Sequence, residues 1–292
     1  MATYYNENTV VFLDNEFIPA HEARVGLYVQ TMHYGSGVFE GIRAYDTPKG
    51  TQIFKAEEHY ERLKYSAQKM HLHLPYTTEQ MINISYQLLE KNNLRDAYIR
   101  PLVYASENMT LTPAPNTHFF MAVWEWGRYL GNNLQRLYLS SFQRPNAKAT
   151  FIDAKITGHY TNSIMATTEA KNLGYDEALL CDMNGFIAEG PGANFFYEKD
   201  GTLYTPPKGN ILPGITRATV LEIAQDINIP VEEKLFSPEE LKTADAAFFC
   251  GTAAEVAGIQ SVNDHVFPAK WHETKAYQIH QAYKQLTTGR QY

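Results

Sequence analysis

The chain has 292 residues, enough for one large domain or two of ordinary size. Its 44% hydrophobic and 13% aromatic content excludes a disordered chain. A formal charge of −7, a pI near 5.8 and the lack of any basic block argue against a nucleic-acid partner.

In chain order, "TVVFLDNEFIPA" predicts a hairpin around Asp14-Asn15, and "GVFEGIRAYDTPKGTQIFK" predicts two strands joined by a Pro-Lys-Gly turn. Ala56, Tyr60, Leu63, Ala67 and Met70 recur at helical steps, and Thr77 with Gln80 has capping-box spacing at the start of a second helix. "AYIRPLVYA" and "THFFMAVWEW" read as long strands. The Gly/Asn/aromatic stretch at 126–135 is the candidate linker. Beyond it come a strand "RLYLSSFQR", a helix over about 161–173, and a hairpin "EALLCDMNGFIA" turning at Asn184-Gly185. "TLYTPP" is a further strand, and "GNILPGITRATVLEIAQDI" is a loop entering a helix. "SPEEL" starts a short helix capped by Ser237, "AAFFCGTAAEVAGIQSV" is strand, turn and strand, and a last helix runs over about 271–287. The pattern is an α+β chain in two domains: residues 1–126, a linker at 127–135, and a larger domain at 136–292.

No apolar run reaches membrane-spanning length, and "MATYYNENTVVFLD" lacks a secretion-signal pattern, so the expectation is a cytoplasmic protein with no membrane contact. Cys181 and Cys250 stand in apolar runs without CxxC spacing and read as buried reduced thiols. His71 and His73 alternate as strand ligands do, but no third ligand is near, so no metal is expected.

Four features carry chemistry. Glu189 ends an apolar strand and is followed at once by "GPGA", so a carboxylate sits among small residues. Gly214, Ile215 and Thr216 form the first turn of a helix, where free N–H groups suit a phosphate. "CGTAAEVAG" offers a second Gly-Thr turn. Lys155 in "TFIDAKITGHYTNS" lies among small and apolar residues that favour a neutral, nucleophilic amine. Singly, Glu189 reads as a solvated strand end and Lys155 as a snorkelling surface lysine. Together, an amine, two phosphate-type turns and a carboxylate are the parts pyridoxal 5′-phosphate (PLP) needs. Neither GxxxxGK[ST] nor a GxGxxG after a strand is present, which argues against nucleotide cofactors.

Seven motifs in order, "HYGSGVFEGIRAY", "AYIRPL", "WEWGRYLG", "AKITGHYTNS", "EGPGANFF", "LPGITR" and "CGTAAEV", make the chain resemble the class IV (fold-type IV) PLP-dependent aminotransferases, specifically the branched-chain amino acid aminotransferases. The resemblance implies the two-domain fold of D-amino acid aminotransferase-like enzymes, with mixed sheets and flanking helices. It makes Lys155, in the C-terminal domain, the catalytic Schiff-base lysine and Glu189 the partner of the pyridine nitrogen. Arg62, Tyr160, Gly192, Asn194, Ile215, Thr216 and Thr252 complete the cofactor set. On the substrate side it implies Tyr34, Phe39, Gly41, Trp126, Tyr129, Thr252 and Ala253, with Tyr98 at the α-carboxylate. Arg100, supported by Arg43, takes the glutamate side-chain carboxylate, for which a planar guanidinium is well shaped.

The implied reaction is ping-pong transfer between leucine, isoleucine or valine and 2-oxoglutarate, in a homodimer or higher homo-oligomer with shared sites. One motif departs from the family. Met109-Thr110-Leu111 stands where bacterial relatives often read Met-Gly-Val, which places Leu111 at the substrate and opens the way to wider specificity toward aromatic amino acids. D-amino acid or (R)-amine transamination and an aminodeoxychorismate-type lyase are the rival activities of the same fold; "FEGIRAY" and "YIRP" weigh against them.

Overall fold

The computed structural model describes residues 4–127, 130–131 and 133–290. The chain forms two compact units, Met1–Gly127 with Ala154–His159, and Arg128–Asp153 with Tyr160–Tyr292. Tyr129, an expected substrate residue, lies outside the described residues, as do two other positions of the expected linker.

The first unit contains β1 (Val10–Leu13), β2 (Glu16–Pro19), α1 (Gln30–Tyr34), β3 (Val38–Phe39), β4 (Ile42–Thr47), β5 (Gly50–Ile53), α2 (Ala56–Lys69), α3 (Thr78–Lys91), β6 (Ala97–Ala105) and β7 (Thr117–Trp124). The sheet order is β2-β1-β7-β6-β4-β5, with β3 also on β6. Asp14 and Asn15 both have positive φ, the backbone of a two-residue hairpin turn, as their identities predict. Thr77 and Gln80 make both bonds of the capping box. Tyr60, Leu63 and Ala67 on α2 and Met81, Leu88 and Leu89 on α3 bury against the sheet.

"GVFEGIRAY" differs from the single strand expected. β3 and β4 pair with β6 in one register, Phe39 opposite Leu102 and Ile42 opposite Ile99. That register sets Glu40 against Pro101, which has no N–H to give, so the ladder breaks at Glu40-Gly41. Glu40 keeps one half of that pair, its N–H donating to the Pro101 carbonyl at 3.0 Å, and its own carbonyl gets no N–H back from Pro101.

The Lys155 segment also differs from expectation: it groups with the first unit. Ala154 and Ile156 belong to that unit's core, and Ile156 bridges Val38. At Gly35, with φ of +67°, an added Cβ would lie 2.8 Å from the Gly158 backbone, so glycine lets the two loops touch.

The second unit contains β8 (Gln135–Gln143), α4 (Tyr160–Asn172), β9 (Glu177–Cys181), β10 (Ile187–Glu189), β11 (Asn194–Lys199), β12 (Thr202–Thr205), α5 (Ile215–Asp226), β13 (Val231–Glu233), β14 (Ala246–Gly251), β15 (Glu255–Val262), β16 (His265–Val266) and α6 (Lys275–Thr288). Its sheet runs β10-β9-β8-β15-β14-β11-β12-β13, and β10 also pairs β11. Six strands thus close into a small barrel. Inward side chains, among them Leu137, Leu179, Ile187, Phe195, Phe249 and Ile259, fill it. Two helices start otherwise than expected. "SPEEL" makes only a 3₁₀ turn at Glu240–Thr243, and the last helix begins after a 3₁₀ turn, capped by Thr274. The fold is mixed α+β with two sheets. Among the described residues no helix is long and apolar enough to cross a membrane, and Cys181 and Cys250 are free thiols.

Candidate active site

In the first unit, Lys155 is held at both backbone polar groups. Its N–H donates to Ser66 Oγ at 3.0 Å, and its carbonyl accepts the Phe39 N–H at 3.1 Å. Its Nζ stands 5.0 Å from the centre of the Phe39 ring. Beside Phe39, Glu40 is fully buried. Arg62 Nε and Nη2 donate to the two Glu40 carboxylate oxygens at 2.6 and 2.9 Å, and His59 Nδ1 lies 2.8 Å from Oε2. Burial by itself would raise the Glu40 pKa, but Arg62 and His59 outweigh it and hold the carboxyl well below its usual range. Burial, with the nearby Arg62 and Lys155 charges, lowers the His59 pKa against the pull of Glu40.

For Arg62 the expected role is holding phosphate; the structure adds the carboxylate that fixes its guanidinium plane. Glu40 and His59 are new to the site. Their traces in the sequence are an acid inside the apolar run "GVFEGI" and a histidine three residues before Arg62, which shares its helix face.

Tyr98 and Arg100 lie on one face of β6, as the two-residue period requires. The Arg100 guanidinium carbon stands 4.7 Å from the Phe39 ring centre, 5.3 Å from Tyr98 and 5.7 Å from Trp124. Nη2 reaches the Tyr98 hydroxyl at 3.4 Å, and Nε is buried without a hydrogen-bond partner. Across the ladder Arg100 faces Ala122, whose small side chain leaves it room. Among the described residues no carboxylate pairs with it, and it lines a cavity of about 450 Å³ with Trp124 and Trp126. Gly41 must be glycine here, since a Cβ would overlap the Tyr98 hydroxyl at 1.8 Å. Arg43 donates to the Trp126 backbone carbonyl at 2.6 Å and so ties down the chain there; the Trp126 indole meets the Tyr98 ring edge-on at 4.6 Å.

Not all expected substrate residues join this cluster. Tyr34 is exposed and donates to the Met109 carbonyl, and Leu111 is 89% exposed.

In the second unit, Glu189 ends β10 just after a bulge that shifts its register on β9, a device that re-aims a side chain. Glu189 is 4% exposed. It accepts Asn194 Nδ2 at 2.9 Å and the Leu212 N–H at 3.1 Å. Arg144 Nε lies 2.8 Å away, a close ion pair whose angle is too poor for a directed hydrogen bond. Nothing local marks Arg144 in the sequence, since it sits 45 residues before Glu189. Asn194, expected at the cofactor, is itself held to Glu189. Its amide also donates to the Leu212 carbonyl, tying Glu189 to the loop that enters α5.

Pairing places Glu189 opposite Asn194 and Asn194 opposite Cys250, so these strands end at one rim of the barrel. The turn at Thr252-Ala253 follows β14 there, with the Gly192 carbonyl 3.1 Å from a Cβ placed at Gly251. A Cβ on Gly192 itself would meet nothing within 4 Å, which leaves open space beside the rim. The α5 cap, Gly214, has no side-chain acceptor and the first turn has no acid, so its positive end is not neutralised by the helix itself. Thr216 is buried in that turn, and Tyr160 opens α4 half-buried. A buried anion for a ring N–H, open space beside glycines and an uncapped helix start fit PLP.

Residues 37–262 match the family Amino-transferase class IV. The branched-chain-amino-acid aminotransferase of Pseudomonas aeruginosa is 40% identical over 287 residues, spanning 96% of this chain and 94% of the relative. The structure of the branched-chain aminotransferase from Thermoproteus uzoniensis with norvaline superposes with a TM-score of 0.92 at 37% identity, covering 96% of this chain and 95% of that one. The T.th. branched-chain amino acid aminotransferase complexed with N-(5′-phosphopyridoxyl)-L-glutamate gives a TM-score of 0.92 at 34% identity, covering 98% of this chain and 96% of that one. With its motifs in order, its barrel closed as described and the match spanning both units, the chain belongs to the class IV aminotransferases.

Proposed function

We propose that this chain is a branched-chain-amino-acid transaminase that uses PLP and moves the amino group between leucine, isoleucine or valine and 2-oxoglutarate. The observation that carries the substrate assignment is Arg100, a guanidinium packed among three aromatic rings with no carboxylate partner among the described residues. Such a pocket accepts an aliphatic side chain against its rings and a distal carboxylate on its cation, so two unlike substrates use one site in turn. The relatives named above are solved with norvaline and with a glutamate adduct, ligands of these two kinds.

When bound, PLP supplies an electron sink that lets the substrate Cα–H ionise. Lys155 holds the cofactor at rest; once the amino acid takes its place, Nζ is free to take the Cα proton and later to return it. Glu189, held by Arg144, the Asn194 amide and the Leu212 N–H, would pair with the ring nitrogen and keep its proton there. Arg62 and the N–H groups of Ile215 and Thr216 bind phosphate, with Thr252 beside them. Tyr98, with the Thr252-Ala253 backbone, takes the α-carboxylate, and Gly41 gives the Tyr98 hydroxyl its place. Arg43 acts by tying down the backbone at Trp126.

A second copy of this chain is part of the reading. Leu27, Tyr28, Met109 and Leu111 are exposed, and an Asn108 N–H to Tyr28 carbonyl bond joins their two loops into one apolar surface. Free Cys181 and Cys250 support a cytoplasmic location.

The test is a panel of L-leucine, L-phenylalanine, D-alanine and (R)-1-phenylethylamine with 2-oxoglutarate as acceptor. L-leucine is expected to have the highest kcat/KM. A preference for D-alanine or the amine refutes the substrate assignment.

A further inference from the structure

We propose that Ser66 is a positioning residue for the Lys155 amine, an inference that rests on Lys155 being the cofactor lysine. Ser66 is fully buried on α2. Its Oγ accepts the Lys155 backbone N–H at 3.0 Å, across 89 residues of sequence. The Lys155 carbonyl is taken by the Phe39 N–H. One end of the Lys155 peptide is therefore fixed to a helix and the other to a strand, with Ala154 and Ile156 anchored in the core on either side.

These anchors form a closed circuit. His59, Arg62 and Ser66 follow one another on α2 at steps of three and four, and so share a face. His59 and Arg62 grip Glu40, and Glu40 follows Phe39 in the chain. The path runs from Lys155 to Phe39, to Glu40, across to α2, along the helix to Ser66 and back to Lys155. Every link is a hydrogen bond or a stretch of chain, and Phe39, Glu40, His59 and Ser66 along it are buried. The circuit fixes the Lys155 Cα relative to Arg62, so the amine and a phosphate ligand are set from one rigid element. A lysine loses much side-chain entropy on ordering, and an anchored backbone leaves only its side-chain torsions to be ordered. Helix propensity does not explain this serine. Alanine is the better helix former, and serine's natural place is a helix start.

PLP makes a covalent bond with the lysine, whereas pyridoxamine 5′-phosphate binds the same site without one. Affinities for both are measured by equilibrium dialysis of the loaded protein, with borohydride reduction and peptide mapping to locate the bond. Ser66→Ala, and the near-isosteric Ser66→Cys with its weak acceptor, are expected to weaken PLP binding about tenfold, the scale of one lost hydrogen bond. Pyridoxamine phosphate affinity stays within about twofold of the parent, since it does not use the lysine. Ser66→Thr keeps the oxygen and restores PLP binding. Equal weakening of both ligands, or a lowered melting temperature with both affinities unchanged, overturns the proposal and leaves Ser66 a packing residue. Borohydride labelling of the parent chain at another lysine refutes instead the assignment of Lys155 on which the proposal stands.

Discussion

Replacing Arg100 by leucine separates the two halves of the catalytic cycle. The guanidinium stands 4.7 to 5.7 Å from three ring centres and has a buried Nε without a partner. Its charge is therefore available to a ligand rather than spent inside the protein. Truncating one partner of a buried charge pair costs about 2–5 kcal/mol. Glutamate and 2-oxoglutarate should lose roughly 30- to 5,000-fold in specificity constant. Leucine never uses the cation, and its complex leaves that cation unpaired, so its constant should hold or rise. The lost cation–π contacts, about 0.5–1 kcal/mol each where exposed, are partly offset by the leucine methyls, so folding survives. The assay is single-turnover kinetics with each substrate. Equal losses for leucine and glutamate would mean that Arg100 binds the α-carboxylate or only supports β6, and the argument for dual recognition would fail.

Lys155→Ala should fold and retain cofactor non-covalently but lose turnover; a near-normal rate removes Lys155 from the reaction. Glu189→Gln keeps the shape of a side chain held by Arg144, Asn194 and Leu212. It removes the charge that keeps the ring nitrogen protonated and should slow the first half-reaction at least about tenfold; an unchanged stopped-flow rate would return Glu189 to a structural part. Acid should unfold the protein through the Glu40–His59 pair. Both folded pKa values lie below their ordinary 4.5 and 6.5, so the stability they contribute is present at neutral pH. It declines as pH falls below about 6.5 for His59 and below about 4.5 for Glu40. Melting temperatures from pH 7.5 to 4 should show a steeper acid slope in the parent than in His59→Gln, and parallel slopes would contradict the pairing.

Short-range chemistry was legible in the sequence. Asp14-Asn15 could only be a tight turn, and Thr77 with Gln80 announced a helix start. Lys155 and Glu189 are ordinary taken singly; they become legible only as a set with the two phosphate-type turns. What was hidden depends on partners far apart in the chain. Pro101 breaks the β3–β4 strand from across the ladder, and no pattern within "GVFEGIRAY" records that. Glu40 acquires its meaning only when α2 brings two basic side chains to it. Arg144 reaches Glu189 only because β10 closes the barrel between β9 and β11. The Lys155 segment follows the proposed linker in sequence, yet its apolar neighbours satisfy the first unit's core, and burial decides over chain order.

The central claim is that Lys155-bound PLP passes an amino group from a branched-chain amino acid to an acidic 2-oxo acid. Its most direct test uses the loaded protein with L-leucine alone and no acceptor. The account predicts complete conversion to the pyridoxamine form, with one 4-methyl-2-oxopentanoate released per site, and full reversal on adding 2-oxoglutarate. Release of ammonia, or an absorbance spectrum that leucine leaves unchanged while D-alanine converts it, would contradict the account.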